Sequence, residues 1–448
     1  MTSRLDGIMT SQALCVDYEK VSDDLWLLSR NNMTIAFSPL SRLAFEVYPQ
    51  GIDAIHSHFR GNLNPLIEKF LSENGFYIKF KIEHKSENEQ FSPKGVVLSL
   101  TSGCNLNCIY CYADAGTKNV TMKEGIGRMA IDYAMKNSQE LLRSKSRVFF
   151  HGGGEAMVVW PLMKKLTEYA ADKYKTMVRF SAVTNATLIT PKRADWLAHH
   201  KFRLTVSLDG PQIVQDYQRP TRNTLSSFDL CYSGLRLLYD RQINFGIRAT
   251  VTSVSSEYVE DLVRIASDFK CGLKLEPFTA VGRGQECDEQ LGITPYQFAK
   301  TFLRAENLGR RLGVNVVTSS LRVDTPGENF CAGNGSMFLV TPTGDISSCS
   351  RTTQVDDVTS NTFFIGKIQN NEVYIDVKRV IELRKLIPDN FEECNDCFAK
   401  YYCRGGCHNT RVSFDGKPNE SHCILARWFL WLTLYRGIFS LLSDGVMY

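Results

Sequence analysis

Between residues 96 and about 320 the sequence alternates six times between a short strand-like apolar run and a longer stretch with apolar residues at helical spacing. The short runs are VVLSL, RVFF, VRFSAVT, RLTVSL, NFGIRATVT and GLKLEPF, separated by segments such as GRMAIDYAMKNSQELL and SSFDLCYSGLRLLYDRQ. Strands connected through helices pair in parallel, and the crossovers share one hand. This alternation restricts the region to an α/β parallel sheet, open or curled into a partial (β/α)6 TIM-like barrel. Chemistry in such sheets gathers at the carboxyl ends of the strands. Those ends carry TSGCNLNCIYCY after the first run, HGGGE after the second, TN in the third and SLDG at the fourth.

The flanks read differently. ALCVDY, LWLLS and MTIAF look like short strands. SRLAFEVY, IDAIHSHF and NPLIEKFLSENG follow with helical spacing, and FYIKFKI reads as a closing strand. Three strands, three helices and a wing describe a winged-helix-like unit, joined to the barrel by the polar linker EHKSENEQFSPKG. Past residue 325 the chain is cysteine-rich and loop-rich, so it needs staples. The expected partition is 1–92, 93–325 and 326–448.

A net charge of +4 on 448 residues is too weak to argue for nucleic acid or a membrane surface. The first twenty residues contain no apolar signal-peptide core, and Arg436 interrupts the apolar WFLWLTLYRGIFSLL near the end. A cytoplasmic protein is expected. Disulfides are rare in that compartment, so clustered cysteines there point to metal. Of fourteen cysteines, Cys15, Cys231, Cys271 and Cys287 are scattered and read as inert thiols. The other ten cluster.

Cys104, Cys108 and Cys111 stand on one short loop without a fourth partner nearby. A structural zinc site wants four ligands. Three thiolates suit a [4Fe–4S] cluster with one iron left open to a chelating cofactor. With Tyr110 before the last cysteine, this loop resembles that of the radical S-adenosylmethionine (SAM) enzymes. The resemblance implies that the open iron binds the amino and carboxylate groups of SAM. Electron transfer then cleaves SAM to a 5′-deoxyadenosyl radical that abstracts hydrogen from substrate. Gly153, Gly154 and Glu155 match the family's glycine-rich turn, whose backbone meets the SAM amino group, although Ala156 replaces the usual proline. Thr184 and Asn185 resemble its ribose-contacting segment. Ser207 and Arg219 match the serine and arginine that it brings to SAM, and Val251 completes the implied cofactor contacts. Arginine suits a carboxylate through its two-pronged donor geometry.

The remaining seven cysteines begin with Cys331 and Cys349, the latter five residues after Gly344. A C-x-x-C-x5-C-x3-C run then spans Cys394, Cys397, Cys403 and Cys407, and Cys423 follows. Zinc ribbons also use such pairs, but seven thiols fit one or two zinc sites poorly. The spacing resembles the family's SPASM extension, which carries two auxiliary iron–sulfur clusters and so implies three clusters in all. By that resemblance Cys394, Cys397, Cys403 and Cys423 hold the outer cluster, and Cys331, Cys349 and Cys407 the inner one. Met337 stands where a further cysteine of the inner set could lie, which leaves three thiolates and an open iron there.

SPASM enzymes include sulfatase-maturing enzymes and maturases of ribosomally made peptides. The former carry an aspartate base after the G-x-x-x-x-C cysteine, where this chain has Ser350. The N-terminal unit resembles a peptide-recognition element that binds leader segments by strand addition. The expectation is therefore a radical SAM peptide maturase, an oxidoreductase-type enzyme that modifies side chains of a precursor peptide carrying a leader. A low-potential donor such as flavodoxin or ferredoxin would supply electrons. A SPASM dehydrogenase acting on a protein or small molecule is the alternative, and a non-enzymatic zinc scaffold is another. No catalytic residue is assigned beyond the SAM cluster; Glu276, ending the sixth run, reads as structural.

Overall fold

The computed structural model describes residues 14–82, 91–93, 95–140, 145–320 and 325–443; most of the expected linker lies outside them. The chain divides into two compact units.

The first unit gathers Met1–Ser86, Ser319–Phe330 and Leu386–Tyr448. Its strands β1 (Asp17–Ser22), β2 (Leu25–Arg30), β3 (Met33–Ser38) and β4 (Leu43–Val47) form an antiparallel meander in sequence order. Asn31 and Asn32 join β2 to β3 with both φ angles positive (50° and 60°), the pairing that a tight two-residue hairpin requires. Helices Pro49–Phe59 and Pro65–Glu73 follow, the second capped by Asn64, whose side chain accepts from Leu66 N at 3.0 Å.

This arrangement corrects the winged-helix expectation. LAFEV is a strand, paired with β3 from Ser38↔Leu43 to Thr34↔Val47. FYIKFKI forms no strand; Phe76 instead fills the core beside Leu25, Leu27, Ala36, Val47, Ile55 and Leu71. The available edge of β3 outweighed the helical spacing of SRLAFEVY. On β2, Leu25 and Leu27 face these helices while the alternate residues face the C-terminal segments. There Tyr18 packs on Phe398 (5.1 Å between ring centroids), Phe37 on Tyr402 (5.8 Å), and Arg30 lies 4.9 Å from the Trp431 ring. Trp431 belongs to the final helix, Glu420–Ser443. Among the described residues no helix is long and apolar enough to cross a membrane.

The second unit comprises Glu87–Thr318 and Cys331–Lys385. Strands β5 (Gly95–Leu98), β6 (Ser146–Phe150), β7 (Val178–Thr184), β8 (Arg203–Ser207), β9 (Asn244–Val251) and β10 (Gly272–Pro277) are parallel and lie side by side in sequence order. β11 (Val316–Val317) extends the sheet beyond β10. At the other end β5 pairs with β12 (Leu339–Val340), followed by antiparallel β13 (Asp345–Ser347), β14 (Phe364–Gln369) and β15 (Glu372–Ile375). β5 and β10 therefore have other neighbours than each other, and the sheet stays open.

The expected third domain is thus divided. Residues 331–385 continue the large sheet because β12 completes the open edge of β5, whereas residues 386–448 fold with the N-terminal meander.

Candidate cofactor site

The three-cysteine loop leaves the end of β5 and is held by its own carbonyls. Arg283, beyond β10, donates from Nη1 to Cys108 O (3.0 Å) and Asn107 Oδ1 (2.8 Å). Its Nη2 reaches Asp114 Oδ1 at 2.6 Å and its backbone N reaches Cys111 O at 3.1 Å. Arg222 donates from Nε to Cys104 O at 3.0 Å. Neither arginine was singled out in the sequence, because each lies more than a hundred residues from the carbonyls it binds.

Burial, then the charge of Glu155, pushes the Cys104 thiol up to about 12; Cys108 and Cys111 add to the effect. Burial raises Cys108 to about 11 against the pull of Arg219. Such thiols stay protonated until a metal takes the proton's place. Among the described residues no three His, Cys, Asp or Glu side chains are grouped so as to hold one metal ion. An iron–sulfur cluster is bound one iron per thiolate, so its ligands need not converge on a point. Three thiols on one tethered loop, with Cys104 and Cys108 partly buried and each feeling Cys111, fit that group.

The glycine turn is bound to this loop. Gly154 N donates to Thr101 O (2.8 Å) and Glu155 N to Gly103 O (3.0 Å). A Cβ at Gly154 would lie 1.8 Å from Gly103 O, and one at Gly153 would lie 2.9 Å from Thr101 O. The glycines are thus required first by the cysteine loop. Glu155 is buried and accepts from Met157 N (3.1 Å), Thr184 Oγ1 (3.1 Å) and Asn185 N (2.8 Å). It ties the turn to the end of β7. Asn185 Nδ2 in turn donates to Asn105 Oδ1 at 3.0 Å, linking β7 to the cysteine loop.

Arg219 is committed in part. It forms a two-pronged pair with buried Asp209, Nε–Oδ2 2.9 Å and Nη2–Oδ1 3.1 Å. The same carboxylate accepts from the Tyr110 hydroxyl, Gln218 Nε2 (2.8 Å) and Thr250 N (3.0 Å). Arg219 also lies 5.3 Å from the Tyr110 ring, so Asp209 joins the ends of β8 and β9 to the cysteine loop. The sequence reading drew Ser207 and Arg219 from this stretch and did not single out Asp209, the hub between them. Among the described residues Nη1 of Arg219 has no hydrogen-bond partner. Ser207 ends β8, its hydroxyl without a partner among the described residues, and buried Val251 ends β9, its carbonyl accepting from Phe278 N at 2.8 Å. Glu276 pairs with Lys274 at 2.9 Å, in keeping with a structural role.

The other cysteines fall in both units. In the first, Cys394, Cys397, Cys403 and Cys423 come together: burial raises Cys403 well above its ordinary value, and the other three add to the shift. Arg411 and Arg427 lie within electrostatic reach of this group and favour its thiolate forms. Arg404, Gly405 and Gly406 all adopt positive φ, reversing the chain between Cys403 and Cys407. In the second unit Ser348 Oγ accepts from Gly335 N (3.0 Å) and donates to Gly333 O (3.3 Å), which brings the loop after Cys331 onto the segment holding Cys349.

Residues 98–266 match the radical SAM superfamily model. An uncharacterised protein of Methanocaldococcus jannaschii is 30% identical over 258 residues, spanning 57% of this chain and 84% of that one. A cysteine-type anaerobic sulfatase-maturating enzyme of Clostridium perfringens is 25% identical over 349 residues, 71% of this chain and 90% of its own. Among solved structures, Streptococcus suis SuiB bound to precursor peptide SuiA superposes with a TM-score of 0.55 at 14% identity, covering 88% of this chain and 96% of that one. Parallel strands in sequential order, with the cysteine loop and glycine turn bound together at their ends, agree with these likenesses: the chain belongs to the radical SAM superfamily, with relatives among its SPASM-type maturases.

Proposed function

We propose that this chain is a radical SAM maturase that modifies side chains of a ribosomally made precursor peptide. The observation that carries the reading is the ladder between Thr101–Gly103 and Gly154–Glu155, which sets the cluster loop against the turn expected to receive SAM. When bound, the cluster and SAM supply an electron and a hydrogen-abstracting radical. The chain's own work is to hold that pair still. Arg222 and Arg283 fix the loop, Glu155 and Asp209 fix the strand ends, and Nη1 of Arg219 with the Ser207 hydroxyl is left to meet a ligand.

Two auxiliary clusters complete the reading, the outer on Cys394, Cys397, Cys403 and Cys423 and the inner on Cys331, Cys349 and Cys407. The N-terminal unit would receive the leader segment. Supporting this, β1 and β4 are edge strands, and Leu63, Leu66, Phe70, Tyr77 and Ile78 are exposed. The sulfatase-maturating relative keeps open a second reading, a radical dehydrogenase acting on a protein.

Anaerobic reconstitution tests the proposal. With SAM and a low-potential reductant the chain should form 5′-deoxyadenosine, and the Cys104→Ala/Cys108→Ala/Cys111→Ala variant should form none. Product from the triple variant would refute the assignment of this loop. A mass change in a short peptide encoded beside the gene then decides between the two readings.

A further inference from the structure

β9 alternates along its length. Phe245, Ile247, Ala249 and Val251 are buried on one face, and Gly246, Arg248 and Thr250 point to the other. Register sets the neighbours of Arg248 on that second face: Ser207 of β8 on one side, Lys274 of β10 on the other. Lys274 is already neutralised by Glu276 at 2.9 Å. The Arg248 side chain has no ion pair or hydrogen bond among the described residues and is exposed.

This face is the hollow side of the sheet. His151 follows β6, three strands away from β9, which would put it about 14 Å off on a flat sheet. Burial, and then the charge of Arg248, nonetheless hold the His151 imidazole down to about 4. The residues that face Arg248 are therefore a neutral imidazole, a hydroxyl and a lysine whose charge is spent on a carboxylate. An unpaired guanidinium in such a hollow attracts an anion, and its planar fork matches a carboxylate. The corresponding edge of Arg219 is occupied by Asp209.

We propose that Arg248 is the anchor for a carboxylate seated in the hollow of the sheet beside Ser207. The assignment rests on the functional reading above. Two sources share this chemistry: the methionyl carboxylate of SAM and an acidic side chain of the substrate peptide.

Reconstituted wild-type, Arg248→Gln and Arg248→Lys chains, matched for iron content and melting temperature, separate them. SAM affinity is measured by calorimetry. The blocked peptides Gly-Gly-Glu-Gly-Gly and Gly-Gly-Gln-Gly-Gly are compared by saturation-transfer NMR with SAM present. A loss of SAM affinity of about tenfold or more in Arg248→Gln, partly recovered in Arg248→Lys, assigns the carboxylate to SAM. A wild-type preference for the glutamyl peptide that Arg248→Gln abolishes assigns it to the substrate. Unchanged SAM affinity together with no glutamyl preference in the wild type overturns the proposal. If the wild type binds SAM and forms 5′-deoxyadenosine, that result leaves the functional reading standing. If it does neither, the functional reading falls and takes the Arg248 assignment with it.

Discussion

Gly154 has no space for even a methyl group, since the Gly103 carbonyl occupies the position a Cβ would take. Gly154→Ala must push the glycine turn off the cysteine loop, because backbone cannot yield as a flexible side chain does. Overpacking of this kind costs about 1–3 kcal/mol. The expected outcome is a lower melting temperature together with at least a tenfold loss of SAM affinity by calorimetry; native affinity would show that the ladder does not shape the site. His151 gives a pH signature. Its folded value, about 4, lies below that of a free histidine, so between pH 6.5 and 4 the unfolded chain binds a proton that the folded chain refuses. Its contribution is complete above pH 6.5 and is lost as pH falls through that window. His151→Phe should therefore flatten the acid side of a melting-temperature profile there, and an unchanged slope would contradict the assignment. Single residues were legible where chemistry demands a type at a spacing, as with the three-cysteine loop and the glycine turn that the fold binds to it. Asp209 was not: its five donor atoms come from Tyr110, Gln218, Arg219 and Thr250, all in other elements, and only folding assembles them.

At the scale of elements the six parallel strands could be read directly, because buried strands in such sheets are apolar runs at regular intervals. The meander could not be read as well. LAFEV satisfies both a helical and an alternating pattern over five residues, and the choice between them is made by the edge of β3, which no local window contains. The same limit hid the tether from the segment after β10 to the cysteine loop. Arg283 meets the Asp114 carboxylate across 169 residues of sequence and binds the Cys108 carbonyl beside it, partners that form no sequence motif with it. It acts on position, through the loop, so its removal should appear first in the cluster. Arg283→Ala is expected to lower iron retained at the SAM site and to broaden that site's low-temperature electron paramagnetic resonance signal. Arg283→Lys should recover part of the iron but not the signal shape, since one ammonium cannot span the carbonyls that a guanidinium fork joins. Signals identical to wild type in both variants would reduce this tether to ordinary loop packing.

For the whole molecule, the two ends of the chain form one unit, and this changes how leader recognition must be tested. Read as a separate domain, residues 14–82 invite simple deletion. In the folded chain that deletion would uncover Phe398, Tyr402 and Trp431, which pack on Tyr18, Phe37 and Arg30. Exposing a large apolar side chain costs about 1.5–3 kcal/mol, so three of them approach the whole stability of a typical domain. The deletion should therefore destabilise the segment that carries Cys394, Cys397, Cys403 and Cys423. Iron would fall by about four atoms per chain, one cluster's worth. A truncated chain that kept its full iron would show instead that this segment folds without the N-terminal sheet. Leader recognition is better probed by point changes that leave that packing intact. Leu66 and Ile78 are 78% and 79% exposed, so Leu66→Asp and Ile78→Asp remove apolar surface without opening the core. Together they should weaken binding of the precursor's leader segment about tenfold or more, read by fluorescence anisotropy, while melting temperature and uncoupled SAM cleavage stay at wild-type values. If leader affinity is unchanged in the double variant, the apolar face is not where the peptide docks, and the sheet edges at β1 and β4 become the surfaces to mutate next.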